Sequence, residues 1–514
     1  MILNSMIAEC ESRKSNGFVL FADLEKCFDK LDLHDCIREV CEAGMPIAES
    51  AYLLKMNQEV TATVETPFGA TESFKAENIV KQGTIWGPQL CGVSTDRMNK
   101  MEGVGDETTL VSGTRVKHPV FVDDVNGMGQ KNIIEEMGRK MVVLEKTKKF
   151  TFNNKKGKSE ILPITFERKN QRLRKLILGQ GKEEGIPKVQ VRNGIILETE
   201  LYKYMGDFYD NKGTNSTKIN KKMSKIGHIT NEVKMISSHE MVGDADVEVR
   251  MMLLEMIVAP TLLNNTETWV NLKPVDITLL QRCHYRVLLK TFELKKGTPY
   301  YGIIAETGIW PYQYKVIYKR LMLYHHLIHS NPKRVARKIM LYQINEEHRI
   351  TWYSGAKEWL EKLNITIDIT EAGKIAKSSW KRMVKEKIEN TIKEVVTRKI
   401  NEMTKLRFVE SFSKKEYISK YPMAVVKKIL NVRLNMVDIA KNFKSKYSRE
   451  SCRACGTEKE TTEHVISCQE YKRLTKHQIE VHQNCFHDSE WLKNAANIFE
   501  AIEHTGKMLK HSLL

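Results

Sequence analysis

The chain has 514 residues, enough for several hydrophobic cores, and this length predicts roughly three or four domains. Its 82 Lys and Arg against 64 Asp and Glu give a formal charge of +18, so a polyanionic partner is expected, and nucleic acid fits best. The N-terminus lacks a signal-peptide pattern, and the chain offers no run of about 18 apolar residues. These features argue against a secreted or membrane-bound protein and predict a soluble one of the cytoplasm and nucleus. The oligomeric state stays open.

The first two hundred or so residues alternate short apolar runs with helical patterns. FVLFA at 18–22 and HPVFVDDV at 118–125 are typical of strands, and EVTATVETPFG at 59–69 alternates like a strand that enters a turn. Residues 26–44, KCFDKLDLHDCIREVCEAG, have helical spacing and stop at Gly44. This layout predicts an α+β fold.

From about Lys218 the pattern becomes almost wholly helical, with breaks at Pro260, Pro274 and Pro311. A basic amphipathic segment follows. One face is predicted to carry Trp380, Val384, Ile388, Ile392 and Val395, and the rest carries Lys377, Lys381, Arg382, Lys385 and Lys393. Such a segment is typical of helix packing with a solvated outer face, and direct contact with nucleic acid is the alternative.

Asp23 stands where the first apolar strand meets a helix. A single carboxylate at such a place is typical of a helix cap. Downstream, Asp123 and Asp124 follow another apolar strand and precede Asn126 and Gly127, which suit a tight hairpin turn. Strand alternation allows only one of the adjacent pair to share a surface with Asp23 directly, and the other would serve the turn or reach in from the hairpin edge.

Taken together, the two acidic sites suggest metal-dependent phosphoryl transfer. Such enzymes clamp the attacking and leaving oxygens between two divalent ions about 4 Å apart, and carboxylates bridge those ions. Mg²⁺ prefers hard oxygen ligands and takes only one or two protein carboxylates together with substrate phosphates. A strand-end Asp and a hairpin Asp supply that set, with Asp23 shared between the ions.

Three further features belong to this candidate site. Phe28 would stand at the mouth of a nucleotide pocket, where a bulky ring excludes a ribose 2′-hydroxyl, although an ordinary core aromatic is the alternative. In KQGTIWGPQL, Gly83 permits close backbone approach and the Gln82 amide can contact a nucleotide or template base. In FNNKKGKSEIL a Lys can protonate leaving pyrophosphate or balance its charge, and a basic turn is the alternative.

A cysteine cluster near the C-terminus has the spacing of a zinc site. In CRACGTEKETTEHVISC, two closely spaced thiols are followed by a His and a Cys one helical turn apart, and the four ligands of one tetrahedral Zn²⁺ would be Cys452, Cys455, His464 and Cys468. Reduced structural thiols are the alternative, and Cys485, His477 and His482 are second-choice ligands. Flanking cations with Tyr447 and Tyr471 suit single-stranded RNA through phosphate neutralisation and base stacking, whereas a zinc-stapled cap needs no RNA.

In order, FADLEKCFD, KQGTIWGPQL, FVDD, FNNKKGKSEIL and YKYMGDFYD resemble the successive palm motifs of reverse transcriptases, in the variant of non-LTR, LINE-type retrotransposons. The similarity spans roughly residues 1–345, and the cysteine cluster resembles the knuckle that follows the thumb in such proteins. The resemblance implies an RNA-directed DNA polymerase that uses two Mg²⁺ or Mn²⁺ ions, one Zn²⁺, an RNA template, a DNA primer and deoxynucleoside triphosphates.

The resemblance also implies roles for individual residues. Metal binding falls to Asp23, Asp123 and Asp124. Phe28 becomes the sugar gate, with Leu24 beside it in the first block. Gln82 and Gly83 lie near the incoming nucleotide and template. Lys158 is the nearest match to the fourth-block lysine, with Lys155 and Lys156 as competing positions.

The implied architecture is a right-hand polymerase palm, an antiparallel sheet with packed helices, followed by an all-helical thumb, a connector and a zinc knuckle. The predicted boundaries are 1–215 for the palm with partial fingers, 216–345 for the thumb, 346–445 for the basic connector, 446–475 for the knuckle and 476–514 for a helical tail.

The sequence departs from the family pattern upstream of Asp23. A full enzyme carries fingers strands there, with basic residues that hold the triphosphate, and the chain is therefore expected to be truncated and to lack the endonuclease of many such elements. An alternative function follows from this departure. The chain can be a catalytically inactive remnant in which palm and knuckle still bind nucleic acid.

Overall fold

In the computed structural model the described residues are 1–13, 15–58, 60–76, 80, 84–96, 109–116, 120–121, 124–147, 151–165, 185–238, 243, 246–346, 349–443, 450–475 and 488–512. They form two compact units. The first comprises 1–217, 268–271 and 330–355, and the second comprises 218–267, 272–329 and 356–514. The predicted division into five segments stays a prediction.

Within the described residues, the strands all lie in the first unit. They are β1 Gly17–Asp23, β2 Val60–Ala62, β3 Glu65–Thr66, β4 Gly69–Ala70, β5 Phe74–Ala76, β6 Thr109–Val111, β7 Thr114–Val116, β8 Val120–Phe121, β9 Asp124–Gly129, β10 Glu160–Ile164, β11 Gln190–Val191, β12 Gly194–Ile195, β13 Leu197–Glu198, β14 Leu201–Tyr204 and β15 Asp207–Asp210. Together with the helices they make a mixed α+β structure, as expected.

Helices α1 to α6 belong to the first unit, as does α13. The α-helices are α1 Ile2–Arg13, α2 Cys27–Lys30, α3 Leu33–Glu42, α4 Ile47–Gln58, α5 Gly87–Thr95, α6 Lys131–Thr147, α7 Asn215–Ser237, α8 Asp246–Leu253, α9 Ala259–Leu263, α10 Pro274–Thr291, α11 Tyr300–Thr307, α12 Tyr312–His329, α13 Val335–Ile344, α14 Trp352–Lys362, α15 Ile369–Ala372, α16 Lys377–Asn401, α17 Glu416–Lys420, α18 Met423–Arg433, α19 Thr462–Ser467, α20 Gln469–Thr475 and α21 Ser489–Ser512. None of the described helices combines the length and apolarity needed to cross a bilayer.

Strand β1 is the centre of a five-stranded sheet with the order β13-β10-β1-β9-β8. It pairs antiparallel with both β9 and β10, so its backbone is hydrogen-bonded on both edges. Leu20 and Ala22 pack into a core with residues of α2, α3, α5 and α6. Val19 and Phe21 face a second core that contains Tyr202 and residues of α1 and α13. An uninterrupted apolar run is therefore expected at β1, because both faces are covered.

The predicted hairpin turn at Asn126 and Gly127 is wrong. Both residues lie within β9, where they pair with Phe21 and Leu20 of β1. Gly127 serves packing instead, since a Cβ atom at this position would lie 2.0 Å from the Met137 sulfur of α6. Strand β8 pairs antiparallel with β9, with Val120 opposite Val125 and Phe121 opposite Asp124.

The predicted helix over 26–44 is divided in two. Helix α2 ends at Lys30, and α3 begins at Leu33 because the Asp32 carboxylate accepts a hydrogen bond from the Asp35 N–H as an N-cap. Helix α3 ends at Glu42, and Gly44 follows with a positive φ of 103°.

The second unit is helical. Helix α16 packs against α12, and the Trp380 indole N–H donates to the Leu321 carbonyl at 3.0 Å. The buried face of α16 repeats every four residues and comprises Trp380, Val384, Ile388, Ile392, Val396 and Ile400. The prediction placed Val395 on this face, but Val395 is partly exposed and its neighbour Val396 is buried.

Because Val395 and Val396 differ in burial but not in side chain, they provide a matched pair of variants. Val396→Ala should lower the free energy of unfolding of the second unit by about 2 kcal/mol, because it removes methyl groups from a closed core and leaves a cavity. Val395→Ala should cost well below 1 kcal/mol. Urea denaturation followed by circular dichroism measures both values, and equal losses would contradict the four-residue period.

Candidate functional site

A cleft of about 600 Å³ lies at the carboxyl end of β1. It is lined by Asp23, Leu24, Glu25, Lys26, Cys27, Phe28, Thr84, Pro88, Asn153 and Lys158. Three separate segments of the first unit therefore meet there: the β1–α2 junction, the start of α5 and the loop before β10. The cleft contains several of the side chains that the sequence predicted for a catalytic site.

The backbone of Asp23 is held on both sides. Its N–H donates to the Ser159 hydroxyl at 3.0 Å, and its carbonyl accepts from the Asn153 N–H at 2.9 Å. Ser159 is itself buried. Because these bonds fix the backbone where β1 ends, the Asp23 carboxylate is carried by a rigid element.

Asp124 lies directly opposite Asp23 in the β1–β9 register. Side chains of directly opposed residues in an antiparallel pair project from the same face of the sheet, so the two carboxylates share a surface. Tyr202 and Tyr204 lie beside them. Burial, together with the negative charge of Asp124, raises the pKa of Tyr202 and raises that of Tyr204 to about 12. Both phenols are therefore neutral at physiological pH.

The Asp23 and Asp124 pair offers hard oxygen ligands at one sheet face beside a cleft, which is the donor set that Mg²⁺ prefers. The residues present therefore fit a magnesium site formed by these two carboxylates. The predicted third acid, Asp123, lies outside the described residues, as do Gln82 and Gly83. The assignment of metal-binding roles to these side chains stays a prediction.

Lys158 is the lysine of its loop that reaches the acidic pair. Its Nζ lies 3.5 Å from Asp23 Oδ1, with the two side chains 52% and 18% exposed. The Tyr202 hydroxyl donates to the Lys158 carbonyl and fixes the backbone there. Lys155 and Lys156 are exposed on the preceding turn. Lys158 was the nearest sequence match for the fourth-block lysine, and its role there stays a prediction.

Phe28 and Leu24 both line the cleft but differ in how deeply they are buried. Phe28 is half-buried at the cleft wall and packs against the first core. Leu24 is 4% exposed and forms a β-bridge with Phe152. Between them, Lys26 has a left-handed backbone with φ 51° and ψ 48° and is the N-cap of α2. This conformation is uncommon for a residue with a side chain, and it turns the chain sharply around the cleft.

Sequence reasoning missed Ser159, Asn153 and Thr84. Thr84 could have been found from the sequence, because a Thr shortly before a Pro is typical of a helix N-terminus. In the structure the Thr84 hydroxyl accepts a hydrogen bond from the Gly87 N–H at 3.1 Å, at the start of α5. Ser159 and Asn153 had none. They reach Asp23 only because β10 pairs with β1, and strand pairing is not visible in local spacing.

The second site is the cysteine cluster of the second unit. One ligand atom from each of Cys452, Cys455, His464 and Cys468 lies within 4.8 Å of every other. A tetrahedral zinc ion with bonds of roughly 2.3 Å to sulfur has ligand-to-ligand edges of about 3.8 Å. The Cys452 and Cys468 sulfurs are 3.9 Å apart, and the Cys455 sulfur is 3.4 Å from His464 Nε2. The cluster therefore has the ligands and the dimensions to hold zinc.

The thiols of this cluster differ in acidity. Hydrogen bonds from the Glu458 N–H and from Thr457 lower the pKa of the Cys455 thiol to about 6, so a thiolate is present at neutral pH. Burial raises the pKa of Cys452 to about 12. Cys455 is therefore the more acidic of these two thiols, and both must lose their protons to bind a metal ion.

Glu458 fixes the orientation of the His464 ring. The Nε2 atom faces the Cys455 sulfur, while Nδ1 lies 3.0 Å from the Glu458 carboxylate. In this arrangement the Nδ1–H donates a hydrogen bond to the carboxylate, which leaves the Nε2 lone pair for a metal. Such a carboxylate partner fixes the tautomer and the orientation of a histidine ligand.

The cluster is joined to the rest of the second unit by the buried Glu460 carboxylate. It accepts from the Arg453 guanidinium at 2.9 Å, from the Ala440 N–H at 2.6 Å and from the Tyr471 hydroxyl at 2.7 Å. Tyr471 is 1% exposed, so the prediction that it stacks on RNA bases is wrong. Tyr447, His477, His482 and Cys485 lie outside the described residues.

Comparison with protein families gives no match, and no curated protein matches the chain. Among solved structures, a telomerase from Candida albicans in complex with a TWJ fragment of telomeric RNA is similar at 11% identity and a TM-score of 0.24. The alignment covers 66% of this chain and 53% of the telomerase chain. A TM-score this low carries no conclusion about fold or function.

We expect the purified chain to contain one zinc ion per molecule and Cys452→Ala to contain none. A segment of about 20 residues cannot bury enough apolar surface to fold without the metal, so this variant should also lose order near 450–470. The first unit should stay folded because it has its own core. Metal analysis and limited proteolysis measure the two effects, with Cys283→Ala as a control. A metal-free wild type would contradict the site.

The orientation of His464 gives a separate prediction. Glu458→Ala should weaken zinc binding about tenfold to a hundredfold, because the ring loses the hydrogen-bond partner that fixes its orientation. Glu463→Ala is the matched control, since Glu463 precedes His464 and pairs with Arg407 instead. Competition with a chromogenic chelator measures both affinities, and equal affinities in the two variants would remove Glu458 from this role.

Proposed function

We propose that this chain is an RNA-directed DNA polymerase of the non-LTR, LINE-type class. In this proposal it adds deoxynucleotides to a primer 3′-hydroxyl on an RNA template. The observation that carries the proposal is the cleft at the end of β1. There, Asp23, Lys158 and Phe28 line the cleft, and Asp124 stands opposite Asp23 on the neighbouring strand.

Asp23 and Asp124, with Asp123, are proposed to hold the divalent ions. When bound, such ions stabilise the charge that develops on the attacking and leaving oxygens of the phosphoryl group. The contribution of the chain itself is to hold the carboxylate ligands in fixed positions. The Asp23 carboxylate stands at the end of a strand held by Ser159 and Asn153, and such rigidity lowers the reorganisation needed on substrate binding.

Other cleft residues are proposed to act on the nucleotide. Lys158 would balance the charge of the leaving pyrophosphate or give it a proton, and its 52% exposed side chain lines the cleft beside Asp23. Phe28 would exclude a ribose 2′-hydroxyl by occupying the space it needs. Leu24 supports this wall from the core. Gln82 and Gly83 are proposed to face the base and template.

The nucleic-acid partner is supported by charge. The net +18 of the chain favours a polyanion. In the second unit, one face of α16 packs inward and the remainder carries Lys381, Arg382 and Lys385, which are exposed. The zinc cluster is proposed to add a second, more specific contact with single-stranded RNA.

Primer extension on an RNA template with Mg²⁺ tests the proposal. Wild type should incorporate deoxynucleotides, and Asp23→Asn, Asp123→Asn and Asp124→Asn should each lose at least about a hundredfold in rate, because a neutral amide holds a divalent ion poorly. Asp35→Asn is the control. Asp35 is an acid of the same unit that is not among the residues lining the cleft, and it pairs with Arg38 on α3.

Retention of RNA separates the proposal from its alternative. A wild type that binds RNA at fixed salt and incorporates nothing would support a non-catalytic nucleic-acid-binding remnant. Equal incorporation by wild type and all three variants would remove the acidic residues from the reaction. Binding by Asp124→Asn equal to that of wild type would show that any loss in rate is chemical rather than structural.

A further inference from the structure

Two thiols of the first unit lie unusually close together. The Cys27 and Cys91 sulfur atoms are 2.8 Å apart, although 64 positions separate the residues in the chain. A disulfide bond is roughly 2.05 Å long, so less than 1 Å of movement would join them. Neither residue belongs to the zinc cluster, and neither is used in the proposed reaction.

The surroundings decide which of the two thiols a small reagent meets first. Cys27 lines the cleft beside Phe28 and is 3% exposed, whereas Cys91 has no exposed surface. Cys36 also packs in this core, but the Ser94 side chain is its hydrogen-bond partner, and burial raises the pKa of its thiol to about 12. Both thiols are therefore buried, and Cys27 is the one of the two that borders the cleft.

We propose that Cys27 and Cys91 form a redox-active dithiol that a hydroperoxide converts to a disulfide. The Cys27 sulfur attacks the peroxide, breaks its O–O bond and becomes a sulfenic acid, with release of one water. The Cys91 sulfur then attacks the Cys27 sulfur and displaces a second water. In sum, two thiols and hydrogen peroxide give one disulfide and two waters, and the peroxide takes up two electrons.

The bond would join α2 to α5, and both elements contribute residues to the lining of the cleft. Phe28 lies on α2, and Pro88 lies in the first turn of α5. Oxidation would therefore restrict the separation of the two walls. Disulfides inside cells are typically transient and redox-sensing, which fits a reversible change. The chemistry depends on the thiols alone and holds whatever the cleft binds.

The test uses the full zinc-loaded chain. It is treated with hydrogen peroxide, alkylated, digested with trypsin and analysed by mass spectrometry without reduction. We expect the peptide CFDK, residues 27–30, linked to QGTIWGPQLCGVSTDR, residues 82–97, and we expect dithiothreitol to abolish this link. Cys41→Ala should retain the link, and Cys27→Ala should lack it. Alkylated Cys27 and Cys91 in the peroxide-treated wild type would overturn the proposal, as would a link between Cys27 and Cys36.

Cys91→Ala tests the order of the two steps and does not depend on the disulfide. Here the sulfenic acid at Cys27 has no partner and should accumulate, where dimedone traps it. Trapping at Cys27 in this variant but not in wild type is the expected result, and no trapping in either would contradict the proposed attack. In wild type, oxidation should raise the melting temperature of the first unit by about 5 °C, and Cys27→Ala should show no rise.

Discussion

The first unit depends on the burial of β1 on both faces and its hydrogen bonding on both edges. Val19 and Leu20 have no exposed surface, and β9 and β10 flank the strand. A charged side chain inside such a strand would lose its hydration without a compensating partner. The end of the strand is the nearest place where a carboxylate can be both rigidly held and solvated. Asp23 occupies that place.

The same strand gathers the rest of the candidate site. Pairing with β9 sets Asp124 opposite Asp23, and pairing with β10 sets Ser159 and Lys158 beside it. Helices α2 and α5 pack on the face of the sheet that carries Leu20, which also sets Cys27 next to Cys91. A polar cleft and a thiol pair thus follow from one packing arrangement. Their proximity is the reason that oxidation of the thiols is expected to affect the cleft.

The zinc cluster is organised differently. Its four ligands lie within one short segment, so local turns bring them together. The segment is attached to the rest of the second unit through the buried Glu460 carboxylate, which accepts hydrogen bonds from Arg453, Ala440 and Tyr471. A buried carboxylate is costly to desolvate, and here charge-assisted hydrogen bonds compensate for that cost. This network holds Tyr471 inward, where a base cannot stack on it.

The features that depend on near neighbours could be predicted from the sequence. These are the apolar strand before Asp23, the helical second half, the α+β class and the ligand spacing at Cys452, Cys455, His464 and Cys468. The periodic face of α16 was predicted up to Ile392 and then missed by one residue, because Val395 and Val396 are equally apolar and only packing distinguishes them.

Which residues meet across the sheet is set by the tertiary structure and could not be predicted. Asn126 and Gly127 have the composition of a turn, yet strand pairing and the approach of Met137 place them in β9. The sequence named Lys158 as the nearest match to the fourth-block lysine, with Lys155 and Lys156 competing, and the contact of Lys158 with Asp23 follows from the pairing of β10 with β1. The contact between Cys27 and Cys91 had no local signal either, because it arises from the packing of two helices, and the free energy of such packing belongs to the whole core rather than to any short segment.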